Sequence, residues 1–222
     1  METRDPIIRL FNVTKRYGRK MALERISLEI RAGEFVFITG PSGAGKSTLM
    51  KTLYLAETVS EGQIIVGGMN LARISRQKIP YLRRRFGVIF QDFKLIPTRS
   101  VYDNVALVLE AAGEKPAQVK LRAMHALKHA GIDHKHNALP PSLSGGEQQR
   151  VAVARAVVGN PAIILADEPT GSLDYESARI IFNLLLDYND RGTTVLVASH
   201  NTQLINATPR GRIVALRGGT LV

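Results

Sequence analysis

The sequence predicts a parallel α/β core interrupted by a helical insertion. Three observations carry that reading. The runs "GEFVFITG", "AIILADE" and "TTVLVASH" are rich in β-branched and aromatic residues and end in turn or polar residues, as strands buried on both faces do. Segments with helical spacing follow the first two of them. Between Gln91 and Pro161 the pattern becomes helical throughout. With 222 residues and 45% hydrophobic content, the chain can bury a sizeable core as one domain. No linker-like tract or internal repeat divides it.

Taken in order, residues 7–13 and 26–30 are short β-like runs with charged neighbours, and "GEFVFITG" is a strand ending at Gly40. "GKSTLMKTLYL" follows as a helix with Leu49, Leu53 and Ala56 on one face, and "GQIIVGG" and "FGVIFQ" are further strands. Val119, Ala123, Ala126, Leu127 and Ala130 recur at the period of an amphipathic helix. After Pro161 the α/β rhythm returns, with "AIILADE", then a helix carrying Ala178, Ile181, Phe182, Leu185 and Leu186, then "TTVLVASH". "RIVALRGGTLV" is a hairpin with Gly218-Gly219 at its turn.

Composition excludes several classes of function. There is no cysteine, so disulfides, thiolate metal sites and cysteine nucleophiles are ruled out. The start "METRDPIIRL" has no apolar h-region and no stretch approaches the ~18 apolar residues of a membrane span, so a soluble chain that is not secreted is expected. A formal net charge of +11 favours anionic partners: nucleotide, nucleic acid or an anionic membrane surface. His125, His129, His134 and His136 are read as surface residues, since no carboxylate cluster accompanies them.

Three motifs carry chemistry. "GPSGAGKST" fits G-x-x-x-x-G-K-[ST] through Gly40, Gly45, Lys46 and Ser47, between a strand and a helix as that motif requires. Its glycines let backbone N–H groups surround phosphate oxygens, and the helix start adds roughly half a positive charge. Lys46 supplies a point charge for the β- and γ-phosphates, and Ser47 a hydroxyl for Mg²⁺. "IILADE" ends a strand with two adjacent carboxylates, which as strand neighbours would point to opposite faces and could not do the same job unless the strand ends there, as Pro169 indicates. Asp167 is assigned to Mg²⁺ through water, and Glu168 to activating the attacking water as general base. In "LSGGE", Ser144 and Glu147 have the spacing of a capping box, so Gly145 and Gly146 lie in a first helical turn and form a second anion cradle. One ATP has one γ-phosphate, and two cradles then call for a second chain.

At these residues the sequence resembles the ATP-binding-cassette (ABC) ATPases, over essentially its whole length. "GPSGAGKST" matches that family's Walker A, "ILADE" its Walker B and "LSGGE" its signature; Gln91 matches the Q-loop, "GSLD" to Asp174 the D-loop, and His200 the H-loop. Tyr17 matches the aromatic that stacks on adenine. The resemblance implies a P-loop NTPase core with a parallel sheet, an N-terminal antiparallel β portion and an inserted helical subdomain. It implies a single domain over 1–222, with a catalytic core at about 1–91 and 161–222 and the helical subdomain at about 92–160. It also implies ATP and Mg²⁺ as cofactors. Tyr17, Gly40, Pro41, Ser42, Gly43, Ala44, Gly45, Lys46, Ser47, Thr48, Ser144, Gly145, Gly146, Glu147 and Asp174 would bind nucleotide. Ser47, Gln91 and Asp167 would serve the metal, and Glu168, His200 and Gln91 would be catalytic. A head-to-tail homodimer would hold two ATPs, each between the Walker A of one chain and the signature of the other.

Within the family, "FGVIFQDFKLIPTRSVYDNVAL" resembles the bacterial cell-division branch. That implies an integral membrane partner, control of cell-wall hydrolysis, and a peripheral position at the cytoplasmic face of the inner membrane. A lipoprotein-releasing or efflux ATPase is the alternative. DNA-associated members need long coiled coils between Q-loop and signature, and residues 91–143 show no sustained heptads, so no nucleic acid is expected. The basic run Arg83 to Arg85 is expected either to face acidic partner residues or anionic lipid, or to be a solvated face.

Overall fold

The computed structural model describes residues 5–171, 173–206, 208 and 210–222. Ser172 of the "GSLD" stretch and the first four residues of the N-terminal stretch lie outside the described residues. In chain order the elements are β1 (Pro6–Tyr17), β2 (Lys20–Arg31), β3 (Phe35–Thr39), α1 (Lys46–Leu53), β4 (Glu61–Val66), β5 (Met69–Asn70) and α2 (Ile79–Arg83). These are followed by β6 (Phe86–Ile89), α3 (Val101–Ala111), α4 (Pro116–His129), α5 (Gly145–Val157), β7 (Ile163–Asp167) and α6 (Tyr175–Asp190). The chain closes with β8 (Thr194–Ala198), α7 (Thr202–Asn206), β9 (Arg212–Arg217) and β10 (Thr220–Leu221). Two compact units result, one of residues 1–83 with 189–222 and the other of 84–188.

In the first unit β3 pairs in parallel with both β8 and β9, and β9 turns back antiparallel into β10. Val36, Phe37 and Ile38 of β3 are fully buried, which accounts for a run of unbroken apolar residues instead of an alternating one. An antiparallel sheet, in the order β2-β1-β4-β5, forms the N-terminal β portion that was expected. β1 and β2 extend well past the runs read from sequence. Their register is broken around Asn12 and Arg25, both at positive φ, and Thr14 Oγ1 and Ser27 Oγ accept from the N–H groups of Arg25 and Asn12. These irregularities and the charged residues at the strand ends hide the strand period.

In the second unit β6 and β7 pair in parallel, and α5 approaches β6 so closely that a Cβ on Gly87 would stand 2.3 Å from the carbonyl oxygen of Ala156. Helices α3, α4 and α5 pack on one another through Val105, Leu109, Ala123, Leu127, Val151 and Ala154. The periodic residues of α4 identified in the sequence are all in this cluster.

Asn104 organises the connection from the Q-loop region into α3. It is fully buried, and its Nδ2 donates to the carbonyls of Ile96, Arg99 and Ser100 at 3.0–3.1 Å while its Oδ1 accepts from the Ile96 N–H at 2.7 Å. Replacing it by alanine strands several buried backbone groups at once. Asn104→Ala is therefore expected to lower unfolding free energy by about 2–4 kcal/mol, read by urea denaturation. A loss below ~0.5 kcal/mol would show that water takes over these bonds.

Candidate nucleotide site

The phosphate loop joins β3 to α1 and is gripped by backbone on two sides. At Gly40, φ is 142° and an added Cβ would lie 2.1 Å from the carbonyl oxygen of Leu216. At Gly45, φ is 105° and a Cβ would lie 2.5 Å from the carbonyl oxygen of Ala22. The hairpin turn completes the grip: the Gly219 N–H donates to the Ala44 carbonyl at 3.1 Å, and the Gly219 carbonyl accepts from the Glu24 N–H at 2.8 Å. Within the loop Pro41, Ser42, Gly43 and Ser47 are exposed, Thr48 is half-buried and Ala44 is buried. The first turn of α1 holds no acidic residue. Lys46 is 8% exposed and folds over its own loop, its Nζ donating to the carbonyls of Gly40 at 2.9 Å and Pro41 at 3.2 Å. An open helix start, an exposed hydroxyl and an ammonium fixed above the loop fit a polyphosphate chain.

Tyr17 belongs to the same unit and is 42% exposed. Its ring is backed by Lys15, whose Nζ lies 4.6 Å from the ring centroid. Lys15 is itself pinned, donating to the Thr58 carbonyl at 2.8 Å and pairing with Glu57 at 2.9 Å. The Lys15 hydrogen bond, outweighing partial burial, holds the Glu57 carboxyl below its usual range. A ring held this way by a fixed cation offers a firm aromatic face, and sequence reading missed Lys15 because an alternating strand position carries no sign of it.

In the second unit β7 stops at Asp167, as the proline predicts, and Glu168 is the first residue beyond it. Glu168 takes a φ of 47°, in the left-handed region that non-glycine residues avoid at a cost of about 1 kcal/mol. Gln91 is nearby: a Cβ on Gly171 would stand 3.7 Å from Gln91 Nε2 and 3.8 Å from Glu168 Cβ. Phe93 and Lys94 follow Gln91 with φ of 56° and 51°, and the Arg155 guanidinium of α5 donates to both of their carbonyls at 2.7 and 2.6 Å. Burial lowers the Arg155 pKa. Gln149, fully buried, donates from Nε2 to the Pro169 carbonyl at 2.8 Å and so ties α5 to the end of β7. Neither bracing residue was picked out from sequence, where each is one polar position on a helix.

The signature stretch forms the capping box. Ser144 Oγ accepts from the Glu147 N–H at 3.3 Å and Glu147 Oε2 accepts from the Ser144 N–H at 2.9 Å. The N–H groups of Gly145 and Gly146 have no intrahelical acceptor. The two glycines answer to different constraints. A Cβ on Gly146 would come within 2.5 Å of Ser177 Oγ and 2.9 Å of Ser177 Cβ, whereas one on Gly145 would meet only ordinary contacts at 3.7–3.8 Å. Asp174 caps α6, its Oδ1 accepting from the Ser177 N–H at 2.8 Å, and this bond holds its carboxyl below the usual range. The D-loop aspartate is thereby engaged in fixing the serine that presses on Gly146.

His200 lies in the first unit, exposed, just past β8. Among the other histidines, His125 and His134 are exposed as expected, whereas His129 and His136 are half-buried: His129 Nε2 lies 2.7 Å from Asp187 Oδ2 with its ring edge-on to Tyr188, and His136 Nδ1 lies 2.9 Å from the Asp133 carbonyl oxygen. No group of three or more metal-ligating side chains occurs among the described residues. In the basic run, Arg83 donates to the carbonyls of Tyr54 and Leu55 just beyond α1, and Arg84 to that of Ala111 at the end of α3. Two of the three arginines thus cover helix carboxyl ends.

Comparison with known proteins agrees with this geometry. The ABC transporter family profile matches residues 23–171. The cell division ATP-binding protein FtsE of Streptococcus pneumoniae serotype 2 (strain D39 / NCTC 7466) is 46% identical over 217 residues, 97% of this chain and 94% of that protein. FtsE of Bacillus subtilis (strain 168) is 45% identical over 217 residues, 97% of this chain and 95% of its own length. The dimeric ATP-binding cassette MJ0796, solved in a post-hydrolysis state with ADP and Pi, superposes with a TM-score of 0.88 at 36% identity, covering 96% of each chain. The phosphate loop, the carboxylates at the end of β7 and the signature helix start, together with these likenesses, establish that the chain belongs to the ABC transporter family as one of its ATP-hydrolysing cassettes.

Proposed function

We propose that the chain dimerises on ATP and drives an FtsX-like integral membrane protein in bacterial cell division and in control of cell-wall hydrolysis. The observation that carries this reading is the 45–46% identity to FtsE proteins over 97% of the chain. In this reading, which the likeness to FtsE proteins supports, the chain sits at the cytoplasmic face of the inner membrane through its partner; none of its described helices is long and apolar enough to cross a membrane.

In this reading, Walker A of one chain and the signature of another hold each ATP. Tyr17 stacks on the base while residues 40–48 surround the β- and γ-phosphates. Lys46 exchanges its bonds to the Gly40 and Pro41 carbonyls for phosphate oxygens. As the family's motifs imply, Ser47, Gln91 and Asp167 would serve Mg²⁺, which would supply charge neutralisation on those oxygens. Glu168 accepts the proton of the attacking water, and His200 and Gln91 orient the γ-phosphate and the water. Ser144, Gly145, Gly146 and Glu147 form the second cradle, with Asp174 supporting it across the dimer.

Glu168→Gln is expected to keep ATP binding and lose roughly two or more orders of magnitude in turnover, as removal of a positioned base does. Phosphate release near the parent rate would remove Glu168 from that role. Lys46→Ala is expected to abolish ATP binding in a filter or fluorescence assay.

The two signature glycines separate the contributions of one chain and of two. Gly146→Ala should lower the melting temperature of the nucleotide-free protein by several degrees, because the new methyl overlaps Ser177. Gly145→Ala should leave that temperature unchanged, yet both should impair ATP-driven dimerisation on a Glu168→Gln background. Isolation of the tagged chain from detergent-solubilised membranes tests the partner: an integral protein should accompany it in stoichiometric amount, and recovery of the chain alone would overturn the coupling.

A further inference from the structure

The two phosphate-facing helix starts differ in one respect. The first turn of α1 carries no acidic residue, whereas the first turn of α5 carries Glu147. A carboxylate at the third position of a helix stabilises the helix, but it also spends the local positive potential that an incoming anion would use. At α5 this charge is answered from outside the helix. Lys135, in the short turn Asp133–Lys135 that follows α4, sets its Nζ 2.6 Å from Glu147 Oε1. The other carboxylate oxygen, Oε2, is occupied by the Ser144 N–H. The pair is partly sheltered, with side-chain exposures of 38% for Lys135 and 16% for Glu147. The Glu147 carboxyl is held below its ordinary range, first by the Lys135 hydrogen bond and then by the Ser144 backbone.

We propose that Lys135 is a positioning residue for the composite ATP site: by neutralising Glu147 and holding it in the capping box, it lets the Gly145 and Gly146 N–H groups receive the γ-phosphate of an ATP bound to a second chain. This rests on the head-to-tail reading of the dimer given above. Lys135 does not touch the phosphate. It allows one sequence to combine a firmly capped helix start, which needs the carboxylate, with an anion cradle, which the carboxylate alone would repel.

A cycle of variants on the Glu168→Gln background tests this, with dimerisation followed by light scattering across an ATP titration. Lys135→Met is expected to raise the ATP concentration for half-dimerisation about tenfold, the scale of losing one charge-assisted interaction. ATP binding to the monomeric chain should not move, since its own phosphate loop lies in the other unit. Lys135→Arg should stay within about threefold of the parent, because charge and donor are retained. The decisive comparison is Lys135→Met made together with Glu147→Gln. With no carboxylate to neutralise, loss of Lys135 should cost less than about twofold relative to Glu147→Gln alone.

No shift from Lys135→Met, or a full tenfold shift persisting beside Glu147→Gln, overturns the proposal while leaving the composite site intact. If the Glu168→Gln parent stays monomeric at saturating ATP, the head-to-tail reading fails and this role fails with it. Should Lys135→Met not fold, the same cycle is run with Lys135→Gln, and its outcomes are read in the same way.

Discussion

Two backbone carbonyls, those of Leu216 and Ala22, press on the phosphate loop at Gly40 and Gly45 and leave no room there for a side chain. The unit that carries the phosphate-loop motif depends on that pressure. A loop that binds phosphate through its own N–H groups cannot be held by its side chains, so neighbouring backbone has to hold it. β2 supplies one wall, and the closing hairpin supplies another through the two hydrogen bonds of Gly219. β2 and the β9–β10 hairpin, near the two ends of the chain, are therefore parts of the candidate phosphate site, although they contribute no reactive group.

The second unit braces its candidate site residues from one helix. α5 reaches the Q-loop carbonyls through Arg155, the end of β7 through Gln149, the turn after α4 through Glu147, and the start of α6 through the contact of Gly146 with Ser177. Four segments that are distant in sequence thus share one rigid reference. A helix is suited to this task because side chains at successive positions leave it in different directions. Its two turns nearest the amino end carry Glu147 and Gln149, and the later Arg155 works from the other end.

Much of this was legible in the sequence. The strand–glycine–helix order around Gly40 to Ser47, the strand stop at Pro169 and the Ser144–Glu147 spacing all state local rules, and local rules survive folding. The partners of Gly40, Gly45 and Gly146 were not legible, because a glycine shows that something comes close without showing what. At Gly146 the close neighbour is Ser177 of the same chain, a constraint distinct from room for phosphate. The basic run was equally opaque: Arg83 and Arg84 read as surface charge, yet each spends its guanidinium on helix-end carbonyls. Their role depends on where α1 and α3 stop, and a charge pattern contains no such information.

The backbone at Glu168 has a consequence for the chain's history and for its engineering. A left-handed φ at a residue with a long side chain stores about 1 kcal/mol that glycine or asparagine would release. The group assigned to activate water therefore sits where the fold would prefer something else. On the role proposed for Glu168, a search that rewards thermal tolerance alone would accumulate changes at position 168 at the expense of ATP turnover. Selection for turnover would, on the same reading, keep the strained residue and let stability be recovered elsewhere.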